Sequence, residues 1–421
     1  MKRSKIRSRV AVVVFSHYPE DPRVKRETEA LIALGFDVDI FCLRGEGESS
    51  REKQGAARIY RFPINKKRGS KGRYILEYGL FTSISLWKLS SLHFVKPYRL
   101  VHIHNMPDFL VFSAFLPRLS GAKIILDLHD PTPEVFMTKY KIGSRHPLVR
   151  LLKLIERGSI RFAHIVLTPN KAFKEVFTRR GAPREKIHIV MNSPQEELFN
   201  IEEVQESKKD SSFRIMFHGT LVERHGLDTA LYAVKMLKGR IPSLTFDVYG
   251  AGDFVEAFKN LVNELELADV VKYHGKVPLQ KIPSAIAQCS VGVIPNKKSP
   301  FTEINLPTRI FEYLCLGKPV VAPRTCGILD YFDDKSLFFF EPGDHKSLSE
   351  ALWRVYAYPE DRKHIVERGM KVYKQYRWKK ECLRFQQIVR KLLWAKSSDR
   401  VSGSAETIQQ DQRLQKAFSL S

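Results

Sequence analysis

Cysteine is scarce in this chain of 421 residues. Its five cysteines, Cys42, Cys289, Cys315, Cys326 and Cys382, lie far apart and form no CxxC pair. That excludes a disulfide framework and a thiolate zinc site, and predicts reduced thiols in a cytosol. Long apolar runs are missing as well. No stretch of about 18 clean apolar residues occurs, and the longest candidate, FLVFSAFLP, stops at Pro117 and Arg118, so no membrane-spanning helix is expected. The basic N-terminus runs into VAVVVF, too short an apolar core for a secretory signal. Acid is under-represented: 46 Asp and Glu face 70 Lys and Arg, leaving a net charge of +24. Such an excess predicts anionic partners, whether nucleic acid, lipid headgroups or phosphorylated substrates. No Asp–His cluster suggests a metal site, and the one DxD, Asp37-Val38-Asp39, falls inside an apparent strand. No cofactor is expected.

What is present is the material for two packed cores. Hydrophobic residues make up 43% and aromatics 11% of a chain longer than one core sustains. VAVVVF (residues 10–15) is a continuous apolar run ending in the polar loop SHYPEDPR, as a buried parallel strand reads. A helix, VKRETEALIALG, follows with Gly35 as its stop signal. FDVDIFCL, LVHIH, KIILDLHD and HIVLTPN continue an alternation of strands with helical spacers. The pattern breaks at residues 194–212, which are acidic then polar and read as a linker. It restarts with FRIMFHG, LTFDVYG, VVKYHG, VGVIP, KPVVAP and LFFFEP, separated by helices such as DTALYAVKML and PTRIFEYLCLG. Two open α/β units in succession predict two Rossmann-like, doubly wound parallel sheets facing across a cleft, with ligands beyond the carboxyl ends of the strands. The boundaries expected are 1–193, the linker, 213–377, an amphipathic helix at 378–395 and a polar tail from 396 to 421.

Candidate site residues cluster at strand ends. Gly219 closes a strand, and the loop TLVERHG leads into a helix, so backbone N–H groups and a helix N-terminus can meet a phosphate. Thr220, Arg224 and His225 sit in that loop; the alternative is a tight turn carrying solvated charges. Gly250 and Gly252 in YGAGD form a second glycine pair one βαβ step later. In SPFTEINLPTRIFEYLCLGKPVVAP, Pro307 and Thr308 open a helix with Pro in its first turn, and Arg309 lies near that N-terminus. Glu312, one turn on, is placed to accept hydrogen bonds from a ribose diol, or is an ordinary helix-surface acid. In the N-terminal half, His129 ends IILDLHD, and His17, Asp21, Arg23, His104, Asp108 and Glu134 lie on neighbouring strand ends and loops. A histidine beside Asp127 and Asp130 could equally be structural.

These segments resemble the retaining family-four glycosyltransferases of the GT-B fold (glycosyltransferases group 1). The likeness runs in order through SHYPEDPRVKRETEALIALGFDVDIF, LDLHDPTPE, FHGTLVERHGLDTAL, VYGAGD, VKYHGKVP and the GKPVVA strand, about residues 10 to 390. It implies transfer of a sugar from a UDP- or GDP-sugar to a glycan or lipid-linked acceptor, with retention and without metal. Glu312 would bind the ribose and His129 would contact the transferred sugar. Gly219, Thr220, His225, Gly250, Gly252, Thr308 and Arg309 would hold the donor. His129, Arg224 and Glu303 would carry catalysis, while His17, Asp21, Arg23, His104, Asp108 and Glu134 would line the acceptor side. The sequence departs from the pattern in three places. The family's two glutamates are separated by seven residues, but that spacing back from Glu312 reaches Ile304, with Glu303 one position earlier. The phosphate loop's usual Arg and Lys correspond to Thr220 and His225. A glycine pair common in the first loop is replaced by HYPED.

The basic residues are clumped, in Lys2, Arg3, Lys5, Arg7 and Arg9, and again in Arg58, Arg61, Lys66, Lys67, Arg68, Lys71 and Arg73. The second cluster precedes YILEYGLFTSISLWKL, where Tyr74, Tyr78, Leu80 and Phe81 could share a helix face. A basic loop before an apolar-faced helix suits the inner face of an anionic membrane, giving a peripheral, cytoplasmic protein; a solvated loop and an ordinary core helix would read the same way. Two rival functions are a GT-B nucleotide-sugar epimerase and a nucleic-acid-binding protein. The second lacks aromatic-interleaved basic repeats, so no nucleic-acid partner is expected.

Overall fold

The computed structural model describes residues 8–64, 71–199 and 212–394. Residues 1–7, Lys66, Lys67 and Arg68, most of the expected linker and the polar tail lie outside them. The strands of the N-terminal half are β1 (Arg9–His17), β2 (Asp37–Leu43), β3 (Arg51–Gln54), β4 (Ala57–Phe62), β5 (Tyr98–His104), β6 (Lys123–Asp127), β7 (Ile165–Thr168) and β8 (Ile187–Ile189). They form one sheet in the order β3-β4-β2-β1-β5-β6-β7-β8, parallel except for the antiparallel edge pair β3–β4. The second half holds β9 (Phe213–His218), β10 (Leu244–Tyr249), β11 (Val271–Gly275), β12 (Val291–Val293), β13 (Val320–Pro323) and β14 (Phe338–Phe340). Their order is β11-β10-β9-β12-β13-β14, all parallel. Each sheet reverses direction of growth once, at β1/β5 and at β9/β12, and such a switch point opens a crevice above the strand ends.

The N-terminal helices are α1 (Pro22–Ala33), α2 (Lys71–Val95), α3 (Phe115–Leu119), α4 (Thr132–Tyr140), α5 (Pro147–Phe162) and α6 (Lys171–Arg179). Those that follow are α7 (Leu227–Leu237), α8 (Val255–Glu264), α9 (Ile282–Gln288), α10 (Thr308–Cys315) and α11 (Cys326–Leu329), then α12 (His345–Ala357), α13 (Pro359–Gln375) and α14 (Trp378–Trp394). A 3₁₀ segment, Asp108–Ala114, precedes α3. Phe81 and Leu89 of α2, Leu110 and Val111 of the 3₁₀ segment, Ile160 of α5 and Phe173 of α6 cover one face of the first sheet. Val24 and Leu31 of α1 cover the other, together with Phe385, Ile388 and Val389 of α14. The last described helix, α14, therefore returns to the first sheet.

Several local expectations need correction. The segment from Arg58 is no exposed loop, because ARIYRF is a buried strand paired in parallel with β2. Arg58 binds Asp39 at 2.6 Å, and Arg61 binds Glu52 at 2.7 Å and Glu48 at 3.2 Å. Arg9 is also spent internally, on Asp39 and on the carbonyl of Lys96. The proposed common face of α2 splits: Tyr78 and Phe81 pack edge-on against Phe15, whereas Leu80 points outward. Part of the expected linker is structural, since Phe199 is buried against the second sheet's core.

The lobes touch through specific bonds. Lys141, just past α4, reaches Glu223 at 2.8 Å, and Thr138 Oγ1 accepts from the Phe301 amide at 3.1 Å. Asn170 donates to the Ile304 carbonyl at 3.2 Å. Because Phe385 lies fully buried over the His102 ring, truncation there removes a large side chain that the first sheet cannot refill. Phe385→Ala is expected to cost about 3–5 kcal/mol, read as a lowered denaturant midpoint.

Candidate active site

The second lobe presents its strand ends as two interlocked glycine turns. Gly219 (φ 128°) follows β9 and Gly250 (φ 135°) follows β10, both in a region closed to residues with a Cβ. A Cβ on Gly250 would lie 1.8 Å from the Gly219 carbonyl oxygen. The Gly219 amide donates to Tyr249 and the Leu221 amide to Ala251, each at 3.0 Å, which fixes the two turns against one another.

Arg309 closes this turn from beneath. Pro307 caps α10 rather than entering its first turn; Thr308 and Arg309 are its first residues. The guanidinium donates to the His218 carbonyl at 2.8 Å and stacks 4.6 Å from the Phe217 ring centroid. Among the described residues no carboxylate pairs with it, and burial holds its pKa below the ordinary arginine value. A half-buried, unpaired cation beside glycine amides is a site for an anion.

Glu312 stands one helical turn on. Burial pushes its carboxyl up to about 7, opposed by the Arg309 and Arg26 guanidinium groups. His218 Nε2 is 3.2 Å away, and burial pushes that imidazole down to about 3, so it is neutral. The reading of Glu312 as a solvated surface acid is therefore excluded.

Thr220 and Gly252 line a cavity of about 970 Å³ with Gly219, Tyr249 and Gly250. Pro19, Glu20 and Lys25 close it from the first lobe. Arg224 lines a neighbouring cavity of about 880 Å³ with Lys297, Lys298 and Asp253. His225 adds no charge to the phosphate side: its Nδ1 bonds the Thr220 carbonyl at 2.6 Å, and burial pushes it down to about 3. Glu303 is half-buried, and its Oε1 accepts from the Cys326 amide at 3.3 Å where α11 begins.

In the first lobe, one carboxylate organises everything. Asp127 takes both Arg23 nitrogens at 2.6 and 2.7 Å, His104 Nδ1 at 3.0 Å, and stands 3.3 Å from His129 Nδ1. Despite burial, these partners hold the Asp127 carboxyl well below its usual range. Burial alone would lower His129, but its bond to Asp127 and the charges of Asp127, Asp130 and Asp21 raise it to about 9. His129 is thus an imidazolium, one-quarter exposed, at the rim of the crevice.

Most of the expected acceptor residues are elsewhere. Arg23 and His104 lie beneath the crevice floor, locked to Asp127. Asp108 is buried and accepts from Asn105 and Thr132 at 2.9 and 2.8 Å. Glu134 is buried in an ion pair with Arg180. None of the four can reach an acceptor. Asp21 caps α1, accepting from the amides of Arg23 and Val24; Asp21 and His17 are half-exposed. The fold also assembles two clusters that the sequence hid, Glu27–His102–His104 and His104–Asp127–His129, with ligand atoms in each within 4.8 Å. Arg23 sits between them, 3.2 Å from Glu27, and supplies the positive charge both carboxylates need.

Residues 21–193 match the glycosyl transferase 4-like domain, and residues 199–372 match glycosyl transferases group 1. The chain belongs to the glycosyltransferases of group 1. This glycosyltransferase is 21% identical over 402 residues to the chitobiosyldiphosphodolichol beta-mannosyltransferase of Kluyveromyces lactis, covering 88% of this chain and 87% of that one. It is 23% identical to the amylovoran biosynthesis glycosyltransferase AmsK of Erwinia amylovora, covering 45% of this chain and about half (47%) of that relative's length. Its fold matches the sucrose-phosphate synthase of Thermosynechococcus elongatus with a TM-score of 0.75 at 18% identity, covering 93% and 100% of the two chains. Anabaena Alr3699/HepE in complex with UDP-glucose matches at 0.64 and 14%, covering 90% and 99%. Both neighbours support the GT-B arrangement of two parallel-sheet lobes.

Sequence reasoning missed four contributors. Tyr249 and His274 stack at 4.2 Å beside the glycine turns, His218 faces Glu312, and Arg26 of α1 reaches Asn192 and acts on Glu312 across the lobes. Tyr249 and His274 lie on different strands, so no local spacing signals their stacking; register between β10 and β11 creates it.

Glu312 sets a pH dependence whose sign is fixed. Its folded pKa, about 7, lies above the ordinary 4.5, so its contribution to stability is full below about 4.5 and is lost as pH rises through 7. Glu312→Gln is expected to melt higher than the parent at pH 8 without ligand, yet to gain less stabilisation from UDP or GDP. Differential scanning fluorimetry across pH 5–8 reads both. Arg309→Ala is expected to weaken nucleoside diphosphate binding by roughly tenfold to a hundredfold, measured by calorimetry.

Proposed function

We propose that this glycosyltransferase moves a hexosyl group from a UDP- or GDP-sugar to a glycan or lipid-linked acceptor at the inner face of a membrane. We further assign it retention at the anomeric carbon and independence from metal. The observation that carries the reading is the half-buried Arg309, without a carboxylate partner among the described residues, beneath the Gly219 and Gly250 turns and one helical turn from Glu312. A diphosphate at the turns and a ribose at Glu312 satisfy both groups with one ligand.

The chemistry follows from charge. Breaking the sugar–phosphate bond develops negative charge on the departing diphosphate and positive charge at the anomeric carbon. Arg309, Arg224 and the amides of the glycine turns meet the first without reorganising. Lys297 and Lys298 line the same side as Arg224, which supports protein cations in the role often given to Mg²⁺. His129 is an imidazolium at neutral pH and so is no base. That favours attack by the acceptor hydroxyl on the face the phosphate vacates, the phosphate oxygen taking the proton. His129 then orients the transferred sugar by donating to one of its hydroxyls. Glu303, held by the amide that opens α11, is assigned a sugar contact. Closure of the lobes, through bonds such as Lys141–Glu223, excludes water.

The relatives' names extend the reading: one concerns amylovoran biosynthesis, another a diphosphodolichol-linked sugar. Both suit assembly of a polysaccharide or a lipid-linked glycan. An epimerase would need acid–base groups on both faces of the sugar, and no observation favours it.

A screen of nucleotide-sugars by thermal shift identifies the donor, and radiolabel transfer then tests the reaction. Label is expected in a larger product, with the donor's anomeric configuration by NMR and an unchanged rate in EDTA. Label confined to an interconverted nucleotide-sugar would overturn the transfer reading; an inverted anomer would overturn the same-face mechanism alone. His129→Ala is expected to lower kcat by about a hundredfold with donor KM little changed.

A further inference from the structure

One face of the first lobe is unlike the rest of the surface. Along α2 the outward positions are Leu76, Leu80, Ser83, Trp87, Ser91 and Phe94, a stripe over five turns without a charge. Leu76 is 74% exposed, and Trp87 and Phe94 are 69% exposed each. A helix packed against a core ordinarily turns charged residues to water on that side. Here both sides are apolar, because Tyr78, Phe81 and Leu89 already fill the inward face.

The stripe has neighbours of the same kind. Ser120, just past α3, bonds His93 of α2 at 2.6 Å. Phe112 and Phe115 pack on Phe162 at the end of α5, and Arg118 stacks on that ring at 4.8 Å. The three helices are therefore one continuous layer over the sheet. Leu119 of α3 and Leu151 and Leu154 of α5 are exposed on it.

Charge within this layer is sorted by depth. Residues 71–162 hold fourteen Lys and Arg but six acids. Glu77, Asp108, Asp127, Glu134 and Glu156 are buried, and Asp130 is half-buried inside the crevice. Among the described residues every basic side chain of this stretch reaches solvent, with Lys88 on α2, Arg118 on α3, and Arg150, Lys153, Arg157 and Arg161 on α5. The face is consequently apolar and cationic, with no exposed acid.

We propose that the layer formed by α2, α3 and α5 is the surface by which the enzyme lies on an anionic bilayer, its leucines and aromatics at the headgroup–acyl boundary and its basic residues on the lipid charges. This rests on the membrane reading above and replaces the basic loop by a defined face. A second copy is disfavoured as occupant, since two such faces bring like charges together. Nucleic acid is disfavoured because the uncharged stripe along α2 would meet phosphates. The placement also serves the reaction. α5 begins six residues beyond Lys141, which bridges to Glu223 at the mouth of the cleft. A bilayer on this face brings lipid-borne acceptors to the cleft's rim.

Flotation with mixed phosphatidylcholine–phosphatidylglycerol vesicles, against pure phosphatidylcholine, tests the surface. The parent is expected to float with the anionic vesicles and to be released by high salt. The triple variant Leu80→Ser, Trp87→Ser, Phe94→Ser and the charge variant Arg150→Glu, Lys153→Glu should each lose binding by about tenfold or more. UDP or GDP stabilisation in fluorimetry should stay unchanged in both. A parent that fails to float, or variants that float like the parent, overturns this surface. Lost nucleotide stabilisation in the parent would instead overturn the transferase reading, so the two failures are distinguishable. Because every substituted side chain is exposed or half-exposed, the variants retain the core that folds the lobe.

Discussion

The second lobe is organised around a positive charge that no carboxylate among the described residues meets. Arg309 lies half-buried beneath Gly219, bonded to the His218 carbonyl and stacked on the Phe217 ring. Withdrawing part of such a charge from water carries a cost that a bound anion repays. Much else follows from that constraint. A Cβ on Gly219 would crowd the guanidinium, and one on Gly250 would strike the Gly219 carbonyl, so both turns call for glycine. His218 and His225 must stay neutral beside it, as burial ensures. Glu312 cannot pair with it directly and retains its proton to near neutrality. The lobe is folded in a state that a nucleoside diphosphate would relieve.

The first lobe solves the opposite problem. Asp127 is a buried anion held by two Arg23 bonds and by His104, with His129 3.3 Å away. His129 is the member of this set that reaches the crevice. It is cationic because the carboxylates of Asp127, Asp130 and Asp21 favour its charged form. Arg23 and His104 thus act on the site through Asp127 and not by touching substrate.

That difference explains what was legible in the sequence. Continuous apolar runs such as VAVVVF and FRIMFHG announce buried parallel strands, and glycine at their ends announces the loops, because both signals are local. The pairing of Arg23 with Asp127 spans 104 residues and joins α1 to β6, two positions from β1 in the sheet. Nothing in DPRVKRE distinguishes an arginine bound for the interior from one that lines a pocket. The same limit misplaced Arg58 and Arg61, since a basic strand residue looks like a basic loop residue until Asp39 and Glu52 are known to face it. The hairpin that pairs β3 with β4 was missed for a related reason: REKQ carries no apolar alternation to mark an edge strand.

The net charge of +24 acquires a geometry once acids are followed by depth rather than counted. Between residues 71 and 162 the carboxylates turn inward, where Asp127, Glu134 and Glu156 each hold an arginine. Every acid spent in this way is subtracted from the surface, so a moderate excess of base in the sequence becomes an uninterrupted cationic face outside. The interior ion pair that holds Asp127 beneath His129 and the cationic exterior are consequently two results of one arrangement. An acid moved from core to surface in this stretch would weaken both at once.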